Sequence, residues 1–373
     1  MKKIVYLDNA STTFPYKRVI RKMNICFKKF GNYSSFNFLG VKTKDFIDEK
    51  VYKLSKLIGC SMGNIIFTSC ATEANNIVIY SVVRKFKKCI VLCFSTEHLS
   101  VINCLKFFRK KIKVFFINPN IDGSINKSCF LRKVIELKPN IVFCMYVNNE
   151  TGIINDVMYI CKICRKYNIF LHIDCSQIVG KIYFKLSNLK ATSYTFSAHK
   201  NHGPKGIGFL YYENKFEETI SPLIIGGGQQ NNLRSGTMPI QQIVGLYESY
   251  KISIKNQKKN FERITYLRNK ILKNINKENI EYNLIKGNKI PNILNISFKN
   301  FSNEMLILKL ENFIISKGSA CSSYKESHVL KSMGFSKEYV NSSVRISIGN
   351  KNSIYEINKF NEKISSIFKI ALS

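Results

Sequence analysis

Between about residue 64 and residue 212 the chain alternates short β-branched and aromatic runs with amphipathic stretches, and this alternation restricts the fold more than any other feature. The runs are NIIFTS, CIVLCFS, KVFFIN, NIVFCMYV, NIFLHID, SYTFS and IGFLYY, and helical patterns such as EANNIVIYSVVRKF and DVMYICKICRKY lie between the first five. Strands joined by helical crossovers build a mainly parallel sheet covered on both faces. The prediction is an α/β chain with a seven-stranded sheet.

Ligands of such sheets bind beyond the carboxyl ends of the strands, so the residues that follow each run are the ones to inspect. They are Thr68 to Glu73, then Ser95 to His98, then Asn148 to Glu150, then Asp174 and Gln177, then Ser197, His199 and Lys200. One polar strand end can be a helix cap, and Thr72 with Glu73 can serve as one. Five gathered at one rim point to a site. Lys200 stands out, because Ser197-Ala198 precede it and a loop with Gly203, Pro204, Gly206 and Gly208 follows, small residues that let a bulky group approach the backbone.

A lysine at a strand end, an aspartate on a neighbouring strand, a histidine, and small hydroxyl residues beside helix starts are the parts needed to hold an aldehyde cofactor with a phosphate tail. Lys200 can form a Schiff base, Asp174 can keep a pyridine nitrogen protonated, and the backbone at Ala71 and Thr72 can face a phosphate at a helix N-terminus. The combination suggests pyridoxal phosphate. A lysine without such company is a solvated surface group.

Composition narrows the alternatives. A chain of 373 residues, 45% of them hydrophobic, is expected to fold as a large domain plus a smaller one. The start, MKKIVYLDNASTT, has too short an apolar run for a signal peptide, and no stretch of about 18 uncharged apolar residues occurs; a soluble, cytoplasmic protein without membrane attachment is expected. The formal charge of +34 invites a nucleic-acid reading. The lysines are scattered, however, as in KFKK, RKKIK and KNQKKN, which fits compositional bias better than direct nucleic-acid binding. Most of the 12 cysteines sit in apolar runs and read as buried, reduced side chains. Cys161 and Cys164 form a lone CxxC on one helix face, without a second pair or a nearby histidine, and read as core. Cys321, in ISKGSACSSYKESHVL, is ringed by glycine, serine and alanine, the composition of an accessible loop. No spacing of histidines or cysteines suggests a metal site.

Beyond GGGQQNNLRSGTMP a long helical pattern runs from about residue 239 to about 275. It is followed by the strand PNILNISF, a helix near NEMLILKLE, the strand FIIS, the Cys321 loop, the helix SHVLKSMG, the strand SSVRISIG and a terminal helix. KENIEYNLIKGNKI reads as the loosest segment.

Taken in order, YLDNASTT, GN at 31 and 32, FTSCATEANN, TEH, VNNETG, HIDCSQ, FSAHKNHGPKGIG, GGGQQNNLRSGT, PNILNISF, SKGSACSS, SHVLKSMG and SSVRISIG resemble the pyridoxal-phosphate cysteine desulfurases of the NifS/IscS-like group, in the class V aminotransferase superfamily. The resemblance spans nearly the whole chain. It implies a fold-type-I homodimer, with residues 15–250 forming the large domain and residues 1–14 and 251–373 the small one. It further implies conversion of L-cysteine to L-alanine through a persulfide on Cys321, with the sulfur passed to an acceptor protein of iron-sulfur assembly or tRNA thiolation. In it Lys200 is the Schiff-base lysine, Asp174 pairs with the pyridine nitrogen, Gln177 and Asn149 meet the phenolic oxygen, and His98 stacks on the ring and moves protons. Ala71, Thr72, Ser197 and His199 hold the phosphate, with Thr237 reaching from the partner subunit, and Asn32 and Arg345 hold the substrate carboxylate. The chain departs from the pattern at Cys70, where glycine is usual, at Asn37, where histidine often stands, at the weakly charged QQNN, and in a slightly shorter loop after Cys321. The rival readings are another class V enzyme, such as an aminotransferase or a selenocysteine lyase, and an inactive basic scaffold.

Overall fold

A computed structural model describes residues 4–28, 31–299, 301–318 and 326–372. Seven strands form one sheet, in spatial order Ile65–Thr68, Gly208–Tyr212, Ser193–Ser197, Phe170–Asp174, Ile141–Met145, Cys89–Phe94 and Ile112–Ile117. Pairing is parallel throughout except at Gly208–Tyr212, which runs antiparallel to both its neighbours. The exception follows from loop length. Helices such as Ala71–Lys85 and Val157–Lys166 fill the crossovers elsewhere, whereas only the short turn His199–Asn201 and a glycine-rich loop separate Ser197 from Gly208, too little for a parallel return.

Alternation along the strands buries both faces. Phe67, Leu92, Val142 and Phe209 face a core shared with the helices Val157–Lys166 and Ile240–Lys255, while their chain neighbours Ile66, Val91, Phe143 and Leu210 face Ala71–Lys85 and Leu99–Phe107. Each such side chain contributes about 2 kcal/mol by leaving water. The long helical pattern predicted after residue 239 is two helices, Ile240–Lys255 and Gln257–Lys277. They are separated at Asn256, whose side chain bonds back to the Ile252 carbonyl (3.0 Å).

A further core joins Val5 and Leu7 to Leu294, Ile296, Val344 and Ile346 and to the helices Gln257–Lys277 and Ile354–Leu372. Here Ile293–Phe298 pairs antiparallel with Ser343–Ser347 and with Tyr282–Leu284. The last of these lies within the segment read from sequence as loosest. The N-terminal strand Val5–Tyr6 pairs with Phe313–Ile314, and a bridge from Asp8 to Ser347 follows. This return of the N-terminus brings Asp8 against Arg345.

No described helix is long and apolar enough to cross a membrane. The cysteines of the described residues are free thiols, with Cys161 and Cys164 both buried. Cys321 lies outside the described residues.

Candidate active site

Lys200 is presented by a turn that several bonds hold rigid. The strand ends at Ser197, whose carbonyl accepts from Asn201 Nδ2 (3.0 Å), and Gly203 N donates to Ala198 O (3.1 Å). From the other end of the chain, Thr13 N and Oγ1 both donate to His199 O (2.9 and 2.7 Å). A Cβ at Gly203 would stand 2.9 Å from Ala198, so the tight packing of this turn demands glycine.

Lys200 opens into a cavity of about 150 Å³. The expected ring-facing residues His98, Asn149, Asp174 and Gln177 line it, as do the expected phosphate-facing residues Ala71, Thr72, Ser197 and His199, and so does Arg345. Asn32 and Thr237 do not. Both are exposed, and Asn32 Oδ1 accepts from Ser34 N (3.0 Å).

The electrostatics are asymmetric. Burial would raise the Asp174 carboxyl, but the Lys200 charge and the bond from Ser176 N to Oδ1 (2.8 Å) outweigh it and hold the group below its ordinary value, so it is ionised. Burial, aided by the Lys200 charge, brings His98 and His199 down to about 4, so both rings are neutral near pH 7. Glu97, next to His98 in the chain, is fully buried, and burial and the Asp174 charge push its carboxyl well up.

The opposite wall suits an anion. The helix Ala71–Lys85 begins at Cys70 without a side-chain cap, which leaves its first N–H groups turned to the cavity end. Ser197 Oγ is buried and has no hydrogen-bond partner. Gly208 passes directly beneath, where a Cβ would lie 2.9 Å from Cys70 C and 3.0 Å from Ala71 N. An orphaned hydroxyl, an uncapped helix start and a lysine at one end, with an ionised carboxylate at the other, fit a phosphorylated pyridine aldehyde.

Arg345, fully buried, is claimed before any substrate arrives. Nη2 pairs with Asp8 Oδ1 (2.7 Å), Nη1 donates to Asn149 O (2.8 Å), and Nε is buried without a partner. Asp8 belongs to the LDNAST stretch. Gln177 Nε2 donates to Ala10 O (2.9 Å) and its oxygen accepts from Lys181. Burial, with the Lys200 and Arg345 charges, brings Lys181 down to about 7.

The departures from the family pattern have local reasons. Cys70 is fully extended (φ −171°, ψ 173°), a conformation any residue adopts. Asn37 caps the helix Phe38–Ile58 by accepting from Gly40 N (2.9 Å). Within QQNN, the Gln230 amide accepts from Phe67 N (2.6 Å) and donates to Phe67 O (3.0 Å), covering the open edge of the sheet as another strand would. Three further histidines are accounted for. His172 is buried in a bonded network, His202 bonds Phe14 O (2.9 Å), and His328 bonds Glu97 O (3.0 Å) while Ser327 caps its helix. Among the described residues no cluster of histidine, cysteine or acidic side chains could hold a metal.

This fold and cavity define a pyridoxal-phosphate enzyme of fold type I. The chain matches the class-V aminotransferase family over residues 5–360 and belongs to it, within the NifS/IscS-like group. It is 40% identical over 361 residues to the cysteine desulfurase IscS of Buchnera aphidicola subsp. Schizaphis graminum, covering 94% of this chain and 89% of that protein. A solved NifS-like protein superposes with a TM-score of 0.92 at 31% identity, covering 98% of this chain and all of the other. SspA in complex with cysteine superposes at 0.82 with 27% identity, covering 92% and 98% of the two chains.

Proposed function

We propose that this chain is a cysteine desulfurase that converts L-cysteine to L-alanine and leaves the sulfur as a persulfide on Cys321. The observation that carries the reading is one cavity lined by Lys200, Asp174, His98 and Arg345, with an uncapped helix start and an orphaned hydroxyl at its far end. The desulfurase name of a relative 40% identical and the cysteine bound by SspA support the choice of substrate.

Bound pyridoxal phosphate supplies an electron sink for the pair left when the substrate's Cα–H bond breaks. Asp174 keeps the end of the cavity opposite that helix start anionic. Ala71, Thr72, Ser197 and His199 would receive the cofactor's phosphate, and Gln177 and Asn149 would meet its ring oxygen. Arg345 orients the substrate carboxylate. Lys200 takes the Cα proton on its amine. The Cys321 thiolate attacks the substrate sulfur, forming an S–S bond while the Cβ–S bond breaks. The electron pair passes to Cβ, which is protonated through His98. Cysteine and one enzyme thiol thus become alanine and one persulfide.

The exposed Thr237, on a segment tied to the large sheet through Gln230 and to the helix Ala71–Lys85 through the Arg234–Glu73 pair (2.8 Å), is assigned to the phosphate site of a second copy in a homodimer. The persulfide is handed to an acceptor protein of iron-sulfur assembly or of tRNA thiolation, in the cytoplasm. Alanine release from L-cysteine tests the reading. Lys200→Ala should lack both turnover and the cofactor's visible absorbance, and Cys321→Ser should keep the absorbance but release almost no alanine. Undiminished alanine release by Cys321→Ser would replace the desulfurase with a lyase or aminotransferase.

A further inference from the structure

Asn75, in the helix Ala71–Lys85, is fully buried, and every polar atom of its side chain is engaged. Nδ2 donates to Asp174 Oδ2 (3.1 Å) and to Ser100 Oγ (2.9 Å), and Oδ1 lies 3.0 Å from His172 Nε2. His172 Nδ1 is 2.8 Å from Ser193 Oγ. Ser100 Oγ is in turn 2.8 Å from His98 Nδ1. A continuous chain of side chains therefore links the carboxylate at one end of the cavity to the imidazole in its wall.

The proton positions along this chain are dictated by which atoms can only accept and which can only donate. Ionised Asp174 only accepts, so the amide nitrogen of Asn75 faces it and the amide oxygen faces His172. His172 Nε2 must then carry hydrogen, and its Nδ1 accepts from the Ser193 hydroxyl. At the other end, the backbone N–H of Ser100 donates to His98 Nδ1 (3.1 Å), so that nitrogen presents a lone pair. The Ser100 hydroxyl receives a hydrogen bond from Asn75 and spends its own hydrogen on the same Nδ1. A neutral His98 has one ring proton, and only Nε2 remains to hold it.

We propose that Asn75 and Ser100 are positioning residues that lock His98 as its Nε2–H tautomer and couple its orientation to Asp174. His98 then meets the reacting atoms as a hydrogen-bond donor. The consequence for turnover rests on the role given to His98 above, whereas the tautomer does not. Neither Asn75 nor Ser100 lines the cavity, so both act through the residues they hold.

The test uses the full-length holoenzyme, deuterated and carrying ¹⁵N-histidine, with long-range ¹H–¹⁵N spectra near pH 7 and His98→Gln to assign the His98 signals. Wild-type His98 and His172 should both show the Nε2–H pattern. Ser100→Ala, which keeps the backbone N–H, should shift His98 toward a tautomer mixture and lower kcat roughly tenfold, the weight of one hydrogen bond, with KM for cysteine little changed. Ser100→Thr, which keeps the hydroxyl, should restore both. An Nδ1–H pattern for His98 in the wild type, or an unchanged spectrum and kcat in Ser100→Ala, would overturn the proposal. Full activity in His98→Gln would instead sink the role of His98 and leave the tautomer assignment standing.

Discussion

Gly208→Ala probes the anion-binding end of the site without touching a titratable group. A Cβ at this position would stand 2.6 Å from Phe196 O, 2.9 Å from Cys70 C and 3.0 Å from Ala71 N. All three are backbone atoms, of the strand Ser193–Ser197 and of the start of the helix Ala71–Lys85, so no side chain can swing aside. Reaching ordinary contact of 3.4 Å requires the strand Ser193–Ser197 to retreat by about 0.8 Å, or Gly208–Tyr212 to leave its ladder, and the start of Ala71–Lys85 to lift as well. Overpacking of this kind costs about 2–3 kcal/mol. The shifted atoms are those meant to hold the phosphate, so cofactor affinity should fall by about tenfold or more. Urea denaturation reads the first effect and equilibrium titration with pyridoxal phosphate, followed by absorbance, reads the second. An unchanged midpoint together with unchanged affinity would refute the claim that the Ala71 helix start, braced on Gly208, forms the cradle.

Acid should unfold the protein early. Burial holds His98, His172, His199 and His202 at about 4, whereas the unfolded chain protonates them near pH 6.5, so the unfolded state binds more protons between those limits and stability falls as pH drops from about 6.5 toward 4. Allowing for partial exposure of two rings, the loss by about pH 5 is of order 5 kcal/mol; urea midpoints at several pH values check this, and a flat profile would contradict it. Arg345→Lys keeps a charge but cannot span Asp8 and Asn149 O, so KM for cysteine should rise about tenfold or more, and an unchanged KM would remove Arg345 from carboxylate binding. Sedimentation should give a dimer, and equal mixing of Lys200→Ala with Thr237→Ala protomers should restore about a quarter of the wild-type activity, since about half of the dimers are mixed and each of these has one intact site; a fully active monomer would exclude the shared site.

Lys200, Asp174, His98 and Gln177 were legible because the strand-end rule gathers chemistry at one rim, and the seven runs that frame them match the strands of the sheet. Asn75 was not legible. In EANNIVIY it looks like any polar position of an amphipathic helix, and only the packing of that helix on Phe170–Asp174 turns it inward. Asp8 was hidden for a similar reason, since nothing local to LDNAST predicts a partner 337 residues away. The strand Tyr282–Leu284 has only three residues and gains its order from Ile293–Phe298, so its own sequence read as loop. The break at Asn256 leaves no sign in the sequence, because KISIKNQKKN has no proline or glycine to mark it. Asn32 and Thr237 could be named only through the family resemblance, and both sit apart from the cavity of their own chain.

Where the substrate sulfur first arrives tests the central claim most directly. The wild-type enzyme is incubated with L-cysteine for a single turnover, alkylated, digested and analysed by mass. One extra sulfur is expected on Cys321, in proportion to the alanine formed. Burial raises Cys161 to about 12 and lifts Cys164 and Cys175 well above the usual thiol range, so these thiols should carry none. Extra sulfur found first on Cys161, Cys164 or any cysteine other than Cys321, or alanine formed with no enzyme-bound sulfur at all, would contradict it.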